Sequence, residues 1–233
     1  MQEWFWAAYF AATITPGMSA KQLERQIGCT YRTAWYMLHR LRRAMRSDNR
    51  SKLYGIVEAD ETFVGCPAKG RHGRWVAAAD NKDLVFGAVK IIRWQDKPGR
   101  WQEKAGRLRL QIADHADALS IKVFLKDNVK LKTLIKTDGW RGYSKDTLGD
   151  FRHEPLVGRN APHIHQAFGN LKTWLKGTYH GVDPKYLQHY LDEFVFRFNR
   201  RKTPMAAFQT LLGISSSKLP LGLDSLKSPE SKV

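Results

Sequence analysis

The sequence predicts an α/β fold, a mixed five-stranded sheet with flanking helices, preceded by a small all-α helix-turn-helix region. Three observations carry that prediction. The first fifty residues show helical spacing throughout. The hydrophobic period then changes to that of strands, and three strands follow one another before the first crossover helix. Finally, 233 residues with 42% hydrophobic and 26% charged side chains match an ordinary globular protein of one large domain, or a small one joined to a medium one.

The apolar stretch 4–12 is shorter than the roughly 20 residues a membrane span needs. Ser19-Ala20 loosely resembles a signal-peptide cleavage site, but Met1-Gln2-Glu3 lacks the positive charge that pattern requires. Residues 4–12 therefore read as an amphipathic helix of a cytoplasmic protein. Pro16-Gly17 breaks it, Ser19 caps a helix over 20–26 with Leu23 and Ile27 on one face, and Gly28 turns the chain. Thr30 caps a longer helix over 31–45. Its apolar face is Ala34, Met37, Leu38 and Leu41, while Arg32, His39, Arg40, Arg42, Arg43 and Arg46 populate the rest. A short helix, a glycine turn and a basic second helix make a helix-turn-helix pattern, although any helical hairpin that solvates its arginines reads the same way.

Residues 48–51 read as a linker. Strands are expected at 54–59, ending at Asp60, then at 84–94 and 108–114, with a basic loop over 65–81 and a polar turn over 96–106. Residues 116–130 carry helical spacing, 132–137 form a fourth strand ending at Asp138, and 151–157 a fifth. Helices over 161–176 and 184–200 follow, and the Ser-, Lys- and Pro-rich residues 215–233 read as a disordered tail. A three-strand antiparallel meander that enters a parallel strand through one right-handed crossover helix is the ribonuclease H-like order. The expected division is a helical region over 1–50, an α/β domain over 51–214 and the tail. No internal repeat and no Walker-type phosphate loop is found, so no nucleotide cofactor is implied.

Charge narrows the partners. Lys and Arg number 39 against 22 Asp and Glu, a formal +17. An excess of this size suits a phosphate backbone, since each neutralised phosphate releases a counterion. An acidic membrane surface fits less well, because no lipid-binding segment is visible. Cys29 and Cys66 are too few for a disulfide scaffold or a zinc ribbon, which fits a reducing compartment.

Asp60 and Asp138 stand at the ends of strands that lie side by side in this topology. Two adjacent anions repel unless a cation sits between them, and oxygen-preferring Mg²⁺ or Mn²⁺ is the natural occupant. Two such ions about 4 Å apart can activate water and stabilise a leaving oxygen on phosphorus. Taken singly, either aspartate can equally be a turn cap. The helix after the fourth strand offers His163, His165, Lys172 and Lys176, of which His165 and Lys172 are two helical turns apart and share a face. Asn170 and Glu193 are rival third ligands, Glu193 being better placed to pair with nearby arginines.

The blocks VEADETFVG (57–65), TDGWRGY (137–143), NLKTWLKGTYHGV (170–182) and YLDEFVFRFNRR (190–201) resemble signature segments of bacterial insertion-sequence transposases of the DDE type, in their Merlin-like, ISXO2-like group. The resemblance runs from about residue 4 to 212. It implies that Asp60 and Asp138 hold two Mg²⁺ or Mn²⁺ ions, that His165 completes the set where many relatives carry Glu, and that Lys172 contacts phosphate beside the cut. Imidazole is a softer donor than carboxylate, which favours Mn²⁺. Members usually begin with a zinc ribbon, whose cysteines are not found here, so the resemblance implies a shortened chain.

The implied activity is metal-dependent strand cleavage and strand transfer at the ends of an insertion sequence, by a protein of the bacterial cytoplasm and nucleoid. The implied partners are terminal inverted repeats, target DNA and a second copy of the chain on DNA, with no membrane. Arg32, Arg40 and Arg43 on the basic helix, Lys69, Arg71 and Arg74 in the loop, and Lys172 with Lys176 are the expected DNA contacts. Two alternatives stay open: an inactive, sequence-specific DNA-binding relic, and a structure-selective ribonuclease or resolvase on the same fold.

Overall fold

The computed structural model describes residues 2–46, 50–65, 82–138, 141–144, 147–156 and 161–217, and the loop cations Lys69, Arg71 and Arg74 lie outside them. The described chain forms two compact units, one of 2–46 with 173–217 and one of 50–172.

The first unit is helical: α1 Gln2–Thr13, α2 Ala20–Ile27 and α3 Tyr31–Met45 from the N-terminal part, α6 Leu187–Asn199 and α7 Pro204–Ser217 from the C-terminal part. Ser19 closes a capping box with Gln22 at the start of α2, Gly28 ends that helix at φ +70°, and Thr30 caps α3 through the Thr33 amide. The core joins Ala7, Ala8 and Ala11 of α1, Leu23 of α2, Ala34, Met37, Leu38 and Leu41 of α3, Phe196 of α6 and Phe208 and Leu211 of α7. Two residues assigned to the polar face of α3 are buried instead: His39 is fully enclosed and Arg42 nearly so. The reason lies beyond α3, because α6 covers that face and supplies His189, Tyr190 and Glu193 to it. Helix α7 had no place in the sequence expectation, since its first turns carry no acidic residue and its apolar positions are not confined to one stripe. It runs to Ser217, into the segment expected to be a tail.

The second unit is a five-stranded sheet in the order β3-β2-β1-β4-β5: β1 Ile56–Val64, β2 Asp83–Lys97, β3 Arg100–Ala113, β4 Leu134–Thr137 and β5 Arg152–Pro155. The β1–β2 and β2–β3 pairs are antiparallel, the β1–β4 and β4–β5 pairs parallel. Helix α4, Ala118–Asn128, capped by Asp117, makes the crossover into β4. This is a ribonuclease H-like sheet. Ala59, Phe86, Ala88, Ile121, Phe124, Leu125 and Ile135 are among the residues of its core. Helix α5, Pro162–Tyr179, gives its residues up to Lys172 to this unit.

Two strand boundaries differ from expectation. β1 continues through Asp60 to Val64, so Asp60 is inside the strand. The segment expected as a polar turn, 96–106, is mostly strand: β2 and β3 stay paired out to Lys97↔Arg100, leaving only Pro98-Gly99 as the turn. Charged and amide residues there pair across a solvent-exposed ribbon, where an apolar alternation is not needed. Among the described residues no helix is long and apolar enough to cross a membrane.

Candidate active site

β1 and α5 build the site together. Strand alternation puts Glu58 and Asp60 on the same face of β1. Helix α5 carries an apolar stripe, Ile164, Ala167, Phe168 and Leu171, at helical spacing, all buried. It comes close to the sheet over Gly87, the residue paired with Asp60 on β2. A Cβ at Gly87 would stand 2.6 Å from Phe168 Cζ and 2.8 Å from Ile164 Cδ1, so only glycine admits the helix at this level.

Two carboxylate–histidine pairs then form across the same gap. The buried Glu58 carboxylate accepts from the backbone amides of His163 at 2.9 Å and Ile164 at 3.0 Å, and from His163 Nδ1 at 2.8 Å. It thereby caps the first turn of α5 from the neighbouring strand, where a negative charge also meets the positive end of the helix dipole. Two residues further along both elements, His165 Nε2 and Asp60 Oδ2 share a hydrogen bond of 2.6 Å, and the Glu61 amide donates to Asp60 Oδ1 at 2.9 Å.

Asp138 stands two residues past Lys136, as Asp60 stands two past Glu58, and Glu58↔Lys136 is the last paired position of the parallel β1–β4 ladder. The two aspartates thus follow from one register. Their fields overlap. Burial pushes the Asp60 carboxyl above the ordinary carboxylate range, the bonds from Glu61 and His165 offset part of that, and the charge of Asp138 adds to the rise. Both aspartates also act on the buried Tyr143 hydroxyl, which burial first and Glu61 next push well above its usual value. Tyr143 donates to Glu61 Oε2 at 3.1 Å.

Lys172 follows His165 by two turns of α5 and is exposed. Partial desolvation and the nearby charge of Lys82 hold its ammonium below the ordinary lysine range. Asn170 is exposed on the same helix. In the helical unit Glu193 is not available as a ligand: Arg42 Nε lies 2.7 Å from its Oε2 and Arg197 Nη1 3.4 Å from its Oε1. Arg32 is exposed at the start of α3, Arg43 is half-buried, and Arg40 lies over the Trp4 and Tyr36 rings while donating to Tyr36 Oη at 3.0 Å. Lys176 is exposed on the last turn of α5. Trp174 packs edge-on against Tyr179 at 4.9 Å between ring centres, so these two rings serve packing here.

Asp60, Asp138 and His165 are therefore drawn to one end of the β1–β4 pair, with His163 beside them on α5 and with Glu58 and Gly87 as supporting residues that the sequence reading did not single out. Two carboxylates, one buried within β1 and one just past the end of β4, are the oxygen donors a hard divalent cation takes, and a cation there would relieve their repulsion. Among the described residues no three His, Cys, Asp or Glu side chains are grouped to share one ion, since His165 Nε2 is turned onto Asp60 itself.

Three solved transposase structures match the chain weakly. The pre-cleavage Mos1 transpososome shares 13% identity over 88% of this chain and 77% of that one, with a TM-score of 0.26. The Mos1 transposase paired-end complex with left transposon end shares 12% over 83% and 75%, at 0.25, and the Mos1 mariner paired end complex with Mn shares 13% over 88% and 77%, at 0.26. No curated protein matches the chain. Over residues 52–199 the sequence matches the ISXO2-like transposase domain, and the chain belongs to that family.

Proposed function

We propose that the chain cleaves DNA at the ends of an insertion sequence and joins the freed 3′ ends to target DNA, with Asp60 and Asp138 holding two Mg²⁺ or Mn²⁺ ions and His165 completing the donor set. The observation that carries this reading is the convergence on Asp60 of the His165 imidazole, at 2.6 Å, and of the Asp138 charge. The ions supply Lewis acidity at phosphorus and a more acidic water. The side chains do the rest. Asp60 and Asp138 fix where positive charge stands relative to the β1–β4 ends. His165 holds the Asp60 carboxylate in one orientation through its Nε2. Lys172 neutralises a backbone phosphate next to the scissile bond. Both steps are phosphoryl transfers, in which positioning and charge stabilisation supply most of the acceleration.

The helical region 1–50 recognises the element's ends through Arg32, Arg40 and Arg43, while the catalytic domain 51–214 holds backbone with Lys69, Arg71, Arg74, Lys172 and Lys176. Work on two ends requires at least two copies on DNA. A second reading, a DNA-binding relic without catalysis, is favoured by His165 Nε2 being bonded to Asp60 itself rather than turned toward a shared ion. One assay separates the two. Purified chain is incubated with Mn²⁺ and DNA bearing its own inverted repeats. Nicking that disappears in Asp60→Asn and in Asp138→Asn supports the transposase, whereas nicking retained in either variant removes the metal-site reading. Binding without nicking under any divalent metal leaves the relic.

A further inference from the structure

The β2–β3 ribbon outgrows its sheet. β1 stops pairing with β2 at Ile56↔Ile91, yet β2 and β3 remain paired to Lys97↔Arg100. Residues 92–97 and 100–105 thus form a two-stranded arm with no third strand among the described residues, reaching roughly 20 Å at about 3.3 Å per residue. A free-standing two-stranded ribbon is marginal in water, and this one has both faces in solvent. Two tryptophans stand on it in the open, Trp94 at 40% and Trp101 at 54% exposure. Each is covered by a cation from the opposite strand: Lys104 Nζ lies 4.8 Å from the Trp94 ring centre and the Arg93 guanidinium 4.6 Å from that of Trp101. Arg93 also pairs with Glu103 at 3.6 Å.

The tip reads Lys97-Pro98-Gly99-Arg100, with Gly99 at φ +78°. Proline followed by a positive-φ glycine is the pattern of a type II turn, and it sets a rigid apolar ring at the apex between two exposed cations. This is the chemistry of an arm that lies in a DNA minor groove and wedges an apolar group between base steps. The alternative occupant, another protein surface, fits less well, because the tryptophan faces are already occupied by cations and the arm carries four Lys and Arg against two Asp and Glu.

We propose that residues 92–105 are a DNA-gripping arm, with Lys97 and Arg100 on the phosphates flanking a minor groove and Pro98 inserted as a wedge that bends the duplex. The proposal rests on the transposase reading for the presence of DNA, but it is independent of the metal site. Its test uses the full chain, without divalent metal, and a duplex of about 30 base pairs labelled at both ends. Anisotropy gives affinity against salt, and energy transfer between the ends gives bending. Lys97→Ala with Arg100→Ala is expected to weaken binding about tenfold near 100 mM salt and to lower the slope of log K against log salt by about two. Pro98→Ala is expected to keep affinity within about threefold while the bend is lost. All three positions are exposed, and equal melting temperatures confirm that the variants fold.

Unchanged affinity, salt slope and bend overturn the arm, and so does a loss of self-association with DNA binding intact, which would assign the ribbon to a protein partner. If that happens while nicking still depends on Asp60, the transposase reading stands alone. If the arm variants respond as expected while Asp60→Asn still nicks, the arm stands and the metal site falls. A wild-type chain that does not bind duplex at all removes both.

Discussion

Glu58 holds His163 at two atoms, the backbone amide at 2.9 Å and Nδ1 at 2.8 Å, and this clamp sets the level at which α5 crosses β1. Because His165 and Asp60 are each two residues further on, the clamp also sets the separation of the candidate catalytic pair. Glu58→Ala leaves two amides and an imidazole nitrogen without their buried acceptor. The expected cost is about 2–4 kcal/mol, from the desolvation of those groups. Nicking should fall with it, even though Glu58 itself does not touch DNA. Glu58→Gln keeps an acceptor oxygen and should lose far less stability. Thermal melts and nicking rates of the two variants check this, and equal losses in both would show that the charge, rather than the acceptor geometry, is what matters.

Asp60 links the site to stability. Its raised pKa means that the folded chain resists the ionised form, through burial first, with only part of that offset by Glu61 and His165. The ionised carboxyl at neutral pH is thus a net cost to the folded protein, which a bound cation relieves. Asp60→Asn should therefore melt slightly higher than wild type in the absence of metal, by on the order of 1–3 °C, while abolishing nicking. Mn²⁺ should raise the melting temperature of wild type and leave that of the variant unmoved. A variant that melts several degrees lower, or that Mn²⁺ still stabilises, contradicts this account.

How much of the site was legible depends on where each signal is written. Asp60 and Asp138 were readable because a right-handed crossover brings their strands together, and the parallel register then sets both carboxylates two residues past Glu58↔Lys136. Helical spacing showed only that His165 and Lys172 share a face of α5; choosing them over His163 and Asn170 took the resemblance of the surrounding blocks to a transposase family. Glu58 was not readable: a carboxylate interrupting an apolar strand looks like an outward position, and its partners are 105 residues away. Gly87 carried a signal, a glycine within an apolar strand, which marks a close approach without saying of what. His39 and Arg42 were misplaced because periodicity divides a helix into one wet and one dry face, whereas α3 is covered on both by elements distant in sequence. The β2–β3 arm was hidden for the opposite reason, since a ribbon exposed on both faces has no apolar alternation to betray it.

Arg42 and Glu193 make a buried ion pair between α3 and α6, with side chains only 3% and 2% exposed. Burial works against the Arg42 charge, yet Glu193, Tyr190 and Tyr179 together more than offset it, so the guanidinium is held above its ordinary value. The guanidinium also lies 4.1 Å from the Tyr190 ring centre. Removing one partner strands the other as a buried charge, at a cost of about 3–5 kcal/mol. Arg42→Met alone should lower the melting temperature by on the order of 10 °C. Arg42→Met combined with Glu193→Leu should recover most of that loss. A double variant no better than the single one would show that the pair positions Tyr179 and Arg197 in addition to neutralising each other.

His39 makes the helical unit sensitive to acid. It is fully buried, neither ring nitrogen has a hydrogen-bond partner among the described residues, and its ring lies against Trp35 at 4.1 Å between centres. Burial, then the charges of Arg42 and His189, lower its pKa to about 2. An unfolded histidine titrates near 6.5, so the folded state binds fewer protons than the unfolded one below that pH. The stability due to neutral His39 is complete above about pH 6.5 and is lost as pH falls from there toward 2, with a limiting slope of about 1.4 kcal/mol per pH unit. Phenylalanine at this position keeps the ring packing, removes two unpaired polar atoms and cannot be protonated. His39→Phe should therefore match or exceed wild type at pH 7.5 and widen its advantage steadily between pH 6.5 and 5. Parallel melting curves of the two proteins across that interval would show that His39 is not the group taking up the proton.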